Sequence, residues 1–210
     1  MYIKGVGMTK FGAQRVTSQE LVYEATLEDL EDADFSIEDI DAIVVSAIDT
    51  ECNGERQRLF SSILSSILKK NDPILTATAV CGGGGAALWT ANKLDYNNTL
   101  VVGVEKLLAN NSINITDEIM MAAERIYEQT EGMNFPAQNA LVAQQYMLKY
   151  GATTDDLALV AYKNHKNAYL NPKARFYKKE VTLKQIKKSP VVASPLRLFD
   201  CSLSVNGAAA

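Results

Sequence analysis

The stretch that decides the fold is Val80-Cys81-Gly82-Gly83-Gly84-Gly85-Ala86-Ala87-Leu88, because it joins two segments of different hydrophobic pattern. The residues that lead into it, 74–80, are apolar or β-branched and predict a buried strand. The residues that leave it, 86–94, predict a helix. A run of glycines between a strand and a helix lets the backbone turn sharply and lets a ligand approach it closely.

Two chemistries fit this glycine turn. In the first, Gly82, Gly84 and Ala87 form a dinucleotide fingerprint, with a pyrophosphate on the helix N-terminus and Glu105 on a ribose hydroxyl. In the second, Cys81 is a nucleophile whose thiolate is stabilised by the helix dipole, and nearby backbone N–H groups hold an oxyanion. A small buried cysteine packed before a tight turn is the purely structural alternative.

Strand and helix signals alternate over the first 106 residues. Strands are predicted at 2–11, 42–48, 74–80 and 99–105, and helices at 17–32, 59–68 and 86–94. The glycines within 2–11 indicate a strand with a close backbone neighbour. Repeated strand–helix–strand units with short links predict an α/β fold, with a mostly parallel sheet and helices on both faces.

Three domains follow from this pattern. Residues 1–106 form the α/β core, residues 107–190 a helical domain, and residues 191–210 return to the core sheet. Within the helical domain, helices are predicted at 117–130, 137–150 and 154–169, with a short one that begins at Thr182.

The composition is that of a globular protein. The chain has 210 residues, of which 47% are hydrophobic and 22% charged, which excludes disordered and collagen-like chains. Its three cysteines lack metal-ligand spacing, so we expect neither a disulfide scaffold nor a metal site. Since no segment approaches the roughly 20 apolar residues of a membrane span and no signal peptide is evident, a cytoplasmic protein without a membrane partner is expected.

Positive charge is concentrated late in the chain, although the net charge is -4. Glu180 is the single acidic residue between Lys163 and Lys188. The nine basic residues there are Lys163, Lys166, Lys173, Arg175, Lys178, Lys179, Lys184, Lys187 and Lys188. Such a segment fits a phosphate-rich cofactor or is simply a solvated surface. Because the chain is acidic overall, no nucleic-acid partner is expected.

Four segments, in this order, resemble the N-terminal half of the thiolase family. They are Val80 to Leu88, Val102 to Leu107, Lys163 to Ala168 with Asn171-Pro172, and Pro195 to Ser202 with Asn206 to Ala210. The branch they resemble most comprises the archaeal acetoacetyl-CoA thiolases and the sterol-carrier-protein-type thiolases. The resemblance implies a thiolase-like fold: a βαβαβαββ half with a mostly parallel five-stranded sheet, and a helical loop domain that covers coenzyme A.

The resemblance also assigns roles to residues. Cys81 is then the nucleophile that takes an acyl group from acyl-CoA, and Gly82, Gly83 and Gly84 support its turn and the oxyanion. The family usually has Cys-Ala-Ser-Gly or a similar sequence here, so Gly83 stands where a serine is common. The resemblance gives the basic segment of the loop domain a partner, the phosphates of coenzyme A, without saying which lysines touch them. We expect Lys163, His165, Lys166 and Arg175 to contact coenzyme A. His165 then has a structural or coenzyme-proximal role, because the family's catalytic histidines lie in its C-terminal half.

The implied reaction joins two acetyl-CoA molecules into acetoacetyl-CoA and CoA through acyl-Cys81, as in lipid metabolism and the mevalonate pathway. Coenzyme A and acetyl-CoA are substrates, and no permanently bound cofactor is implied. The chain lacks the C-terminal half, with its histidines and second cysteine, so we expect turnover to require that half. The other implied partners are a second copy in a homodimer or larger assembly, a hydroxymethylglutaryl-CoA synthase and a small zinc-containing scaffold protein.

Other interpretations stay open. The chain can be a non-catalytic thiolase-like subunit that binds an acyl-CoA, a lipid or a scaffold partner, or an NAD-dependent oxidoreductase that uses the glycine turn. For individual residues, we expect Cys201 to be a packed core thiol, Cys52 an exposed loop residue and Glu105 a structural carboxylate at a strand end. The apolar stripe of 59–68 forms either domain core or a dimer interface.

Overall fold

The computed structural model describes residues 2–48, 50, 53–108, 116–117 and 119–210. Two compact units make up the chain: residues 1–115 with 205–210, and residues 116–204. We call them the sheet unit and the helical unit. The chain returns to the sheet unit only at Val205, so residues 191–204, which we expected in the core sheet, belong to the helical unit.

The regular elements alternate along the sheet unit and are mainly helical in the second unit. The helices are α1 (Ser18–Ala33), α2 (Phe60–Leu68), α3 (Gly83–Ala91), α4 (Phe135–Tyr150), α5 (Thr154–Leu170) and α6 (Leu183–Lys188). The strands are β1 (Ala42–Ser46), β2 (Ile74–Thr76), β3 (Thr99–Lys106), β4 (Val191–Ala193), β5 (Leu196–Arg197) and β6 (Asn206–Ala209).

The main sheet has the strand order β2-β1-β3-β6. β1 lies parallel to β2 and β3, whereas β6 runs antiparallel to β3. Every residue of β1 is buried, because helices cover both faces of the strand. Ile43 and Val45 pack with α1 and α2 on one face, and Val44 packs with α3 on the other. The predicted α/β architecture with helices on both faces is confirmed.

The fifth strand of the predicted sheet is irregular. Near the N-terminus, only isolated antiparallel bridges form, from Met8 to Ala209 and from Gly12 to Asn206. The predicted close backbone neighbour is present: a Cβ atom added to Gly5 or Gly7 would overlap with the backbone of α1. The sheet is therefore mixed, with four regular strands and one irregular edge segment among the described residues.

The predicted strand 74–80 is shorter and more exposed than its sequence indicates. Only Ile74–Thr76 is a strand, and the side chain of Leu75 is 40% exposed. The reason is its position: β2 pairs with β1 on one side and forms the edge of the sheet on the other. An apolar pattern alone does not distinguish an edge strand from a central one.

The helical unit has a small core. It contains Ala158 and Ala161 of α5 and Ile186 of α6. Its helices begin at side-chain caps, which include capping boxes at Thr153 and Thr182. Over 117–130, where a helix was predicted, a π-helix at Arg125–Gln129 is present, and residue 118 lies outside the described residues. In the described part of the chain, no helix is long and apolar enough to cross a membrane.

Candidate active site

Cys81 lies between the edge strand and α3. It sits in the short 3-10 turn Val80–Gly82, directly before the first residue of α3, and its free thiol is exposed. The chain reaches this turn from β2, where Ala77 N–H donates a 2.9 Å hydrogen bond to Val45 O and extends the pairing with β1. The predicted thiol at the mouth of a helix is therefore present in the fold.

The turn carries backbone strain. Val80, immediately before Cys81, has φ of +45°, in the left-handed region. This conformation is an outlier for a β-branched residue. Strain of this kind costs about 1–3 kcal/mol and persists only where the surrounding structure enforces it, as it often does at functional sites.

The glycines of the turn have different environments. A Cβ atom on Gly83 would overlap with the hydroxyl of Ser46, whereas one on Gly84 or Gly85 would meet nothing within 4 Å. The N-cap residue of α3 is Gly82, which has no side chain to cap the helix. The first N–H groups of a helix have no partner within the helix, so those of α3 can hold an anion beside Cys81.

Glu105 is the second-last residue of β3, near the carboxyl end of that strand. Its carboxylate accepts a hydrogen bond from the backbone N–H of Ile48, just beyond the end of β1. This contact joins the carboxyl ends of two neighbouring parallel strands, which is the structural role expected for Glu105. Because the carboxylate is engaged there, the contact also weighs against the ribose-binding role in the dinucleotide interpretation.

An ion pair at the carboxyl end of β3 was not predicted from the sequence. Lys106 Nζ lies 3.0 Å from Glu55 Oε1, with both side chains almost buried, beside a polar cavity of about 340 Å³. Burial raises the pKa of Glu55, but hydrogen bonds from Ser18 and Lys106, with the Lys106 charge, outweigh burial and hold the pKa below its ordinary value. The two residues are 51 positions apart, so no local motif brings them together.

In the helical unit, His165 borders a second cavity, of about 480 Å³. Its ring contacts Phe176 and Phe199 edge-on, with centroids 4.5 Å and 5.4 Å away. Nε2 lies 3.3 Å from Phe199 O, and because a carbonyl only accepts, Nε2 carries the proton in this contact. His165 is thus held at the cavity wall by aromatic packing.

The structure gathers only part of the predicted coenzyme-binding set. His165 and Lys166 line this cavity, whereas Lys163 and Arg175 are exposed and do not line it. The remaining lining residues are Tyr162, Tyr169, Lys179, Glu180, Val181, Thr182 and Leu183. The interleaving of aromatic and basic residues in this segment could have indicated Tyr162, Tyr169 and Lys179 from the sequence.

The other cysteines differ from Cys81. Cys201 is half-buried, and burial, followed by the charge of Asp200, raises the pKa of its thiol. Cys52 lies outside the described residues. Across the described ranges, no group of three or more histidine, cysteine, aspartate or glutamate side chains can hold a metal ion.

Comparison with known proteins shows a consistent relationship. A family model for the thiolase N-terminal domain matches residues 1–195. The chain is 35% identical over 211 residues to an acetyl-CoA acetyltransferase of Methanothermobacter thermautotrophicus, with 98% of this chain and 54% of that protein covered. It is 31% identical over 213 residues to the benzoylsuccinyl-CoA thiolase subunit BbsB of Thauera aromatica, with 100% of this chain and 54% of that protein covered.

A solved structure is similar in fold over almost the whole chain. The Ltp2-ChsH2(DUF35) aldolase superimposes with a TM-score of 0.73 at 27% identity, over 98% of this chain and 53% of that chain. The chain thus spans about half the length of the curated relatives it matches. These relatives include an acetyltransferase, a thiolase subunit and an aldolase. They are thus related to this chain in sequence or fold, but their names describe different reactions.

Proposed function

Because the chain belongs to the thiolase family through its N-terminal domain, we propose that it is the N-terminal half of an acetyl-CoA C-acetyltransferase. The observation that carries the proposal is the exposed Cys81 thiol in a strained turn before the N-terminus of α3, whose N-cap residue is a glycine. The 35% identity to an archaeal acetyl-CoA acetyltransferase supports acetyl-CoA as the substrate.

In the first half-reaction, the Cys81 thiol gives its proton to solvent water, and the resulting thiolate sulfur attacks the carbonyl carbon of acetyl-CoA. The negative charge that develops on the carbonyl oxygen is held by backbone N–H groups of the turn around Gly82, Gly83 and Gly84. The C–S bond to coenzyme A then breaks, and CoA leaves as a thiolate, which leaves an acetyl thioester on Cys81. The nucleophile and the N–H groups of this step belong to the sheet unit, whereas our candidate cavity for the coenzyme A phosphates belongs to the helical unit.

The second half-reaction requires groups beyond this chain. A second acetyl-CoA loses an α-proton, and its carbanion attacks the acetyl thioester, so that acetoacetyl-CoA forms and the Cys81 thiolate is released. We assign the base for that proton to a C-terminal half. The outer face of α3 supports such a partner: Leu88 and Trp89 are 41% and 66% exposed, although Thr90 is the one polar side chain of this helix. Helices of this composition are usually buried.

The cavity beside His165 is our candidate for binding the phosphates of coenzyme A. Lys166 and Lys179 line it, and the aromatic rings of Tyr162 and Tyr169 offer apolar walls. Lysine is a common phosphate-binding residue. We expect the double variant Lys166→Ala with Lys179→Ala to weaken CoA binding in calorimetry at least tenfold. Lys188→Ala, outside the cavity lining, serves as the matched control and should bind CoA as the wild type does.

A homodimer is the assembly we propose, formed along the edge of β2. An exposed apolar edge strand presents unpaired backbone groups and is usually covered in a stable protein. Leu75 within β2 and Val80 shortly after it are 40% and 39% exposed. A monomer in sedimentation at micromolar concentration, with the C-terminal half bound, would contradict this assembly.

Acetylation of Cys81 tests the activity. The chain is combined with a C-terminal thiolase half, incubated with acetyl-CoA and digested. The mass of each cysteine-containing peptide is then measured by mass spectrometry. We expect one acetyl group on Cys81, none in Cys81→Ser, and unchanged labelling in Cys201→Ser, which is the matched control. If Cys81→Ser retains condensation activity, the chain is a non-catalytic subunit. NAD(H) binding that depends on Gly82 and Gly84 would instead support the oxidoreductase interpretation.

A further inference from the structure

We propose that Ser46 is a positioning residue for Cys81 and acts through its contact with Gly83. The proposal rests on the role of Cys81 as the reactive thiol, but not on which acyl group Cys81 accepts. Ser46 lies on β1 and Cys81 follows β2, so the contact links two neighbouring strands through the first residue of α3.

Ser46 is the one polar residue in β1, whose five residues are all buried. Side chains alternate between the faces of a strand, so Val44 and Ser46 lie on the same face. Val44 packs there against Ala87 and Ala91 of α3. Gly83 and Ala87 are four residues apart, and both are buried on the same side of the helix. Ser46 therefore lies under the N-terminal end of α3.

The fit between Ser46 and Gly83 leaves no room for another atom. A Cβ on Gly83 would overlap with Ser46 Oγ and would lie 3.5 Å from Ser46 Cβ. The Ser46 hydroxyl thus fills the volume that a side chain at position 83 would take. A Cβ added to Gly85, two residues further on, would meet no atom within 4 Å. Among Gly83, Gly84 and Gly85, Gly83 alone has no room for a side chain.

This contact explains how the strained turn is maintained. Val80 keeps a positive φ only if neighbouring structure prevents the turn from relaxing. Gly83 is two residues beyond Cys81, so the distance between Gly83 and Ser46 determines the position of the end of the turn. A side chain at position 83 would lift α3 from β1, and Val80 and Cys81 would move with it.

The test is the alkylation of Cys81 in folded protein. Gly83→Ala, Gly85→Ala, Ser46→Gly and the double variant Ser46→Gly with Gly83→Ala are treated with iodoacetamide at one pH, and peptides are quantified by mass spectrometry. The Cys81 rate is divided by the Cys201 rate in the same sample, and unfolding is measured separately. We expect this ratio to fall at least tenfold in Gly83→Ala, to stay unchanged in Gly85→Ala, and to return to within twofold of wild type in the double variant.

The outcomes separate positioning from stability alone. A variant that is less stable but reacts normally at Cys81 in its folded state overturns the proposal, as does a double variant that is not rescued. If Gly83→Ala does not fold, the double variant is compared with Ser46→Gly. Equal Cys81 rates in these two variants support the proposal. A Cys81 rate tenfold lower in the double variant than in Ser46→Gly, or failure of the double variant to fold, overturns it. Failure of acetyl transfer with the expected alkylation pattern would reject the proposed function and leave this inference intact.

Discussion

The sheet unit and the helical unit bury their side chains to different extents. In the sheet unit, all of β1 is buried, and Leu21, Ile43 and Leu64 have no exposed side-chain surface. In the described part of the helical unit, Ile186 is the one side chain less than 2% exposed. The candidate nucleophile therefore sits on a well-packed scaffold, and the candidate coenzyme cavity on a unit that depends on local caps and one central side chain.

Removing Lys106 tests an almost buried ion pair of the sheet unit. We expect Lys106→Met to reduce the free energy of unfolding by about 3 kcal/mol, because it leaves Glu55 almost buried without its ion pair. The double variant with Glu55→Gln should lose less, and urea denaturation measures both. Equal losses in the single and double variants would show that the two residues are not coupled.

The same pair predicts a pH dependence. The pKa of Glu55 is lowered in the folded protein, so its contribution to stability is present above its unfolded pKa and is lost as pH falls through the folded pKa. The difference between wild type and Lys106→Met in urea denaturation should therefore shrink in acid. A difference that stays constant down to the pH of acid unfolding would contradict this assignment.

Ile186 tests the helical unit. We expect Ile186→Ala to destabilise that unit by about 3 kcal/mol, because its core has few large side chains to fill the cavity. Hydrogen exchange should show lost protection in α5 and unchanged protection in β1. Ile186→Val, which removes one methylene, is the matched control and should cost about 1 kcal/mol. Equal loss of protection in β1 would show that the two units unfold together.

Cysteine reactivity compares the two units directly. Burial and the Asp200 charge raise the pKa of Cys201, so it forms less thiolate near neutral pH than an exposed thiol does. We expect iodoacetamide to modify Cys81 about tenfold faster than Cys201 near neutral pH. Asp200→Asn should lower the Cys201 pKa and narrow this gap. Faster reaction at Cys201 than at Cys81 would contradict the burial assigned to it.

The smallest effect is expected on the surface of the helical unit. Lys187 Nζ lies 2.9 Å from Asp155 Oδ2, but the side chains are 40% and 67% exposed. We expect Lys187→Ala to change the free energy of unfolding by less than about 0.5 kcal/mol, with even less effect at high salt. A loss comparable to that of Lys106→Met would mean that exposure does not explain the difference between the two ion pairs.

Local patterns predicted much of the fold. The apolar run at 42–48 predicted β1, and capping signals predicted α1 and α5 close to their observed bounds. The glycine turn placed Cys81 before a helix. The sequence did not indicate that β2 is an edge strand, because strand order depends on pairing between distant segments. The contacts of Ser46 with Gly83 and of Glu55 with Lys106 also depend on that pairing.

The position of β6 constrains the order of folding during synthesis. β6 pairs with β3, about a hundred residues earlier, and its residues also bond to segment 7–12 at the other end of the chain. The helical unit is one continuous stretch, residues 116–204, so all its contacts are available before β6 has been made. During synthesis on the ribosome, the sheet unit is therefore the first to be started and the last to complete its sheet, and the helical unit can fold before β6 is made.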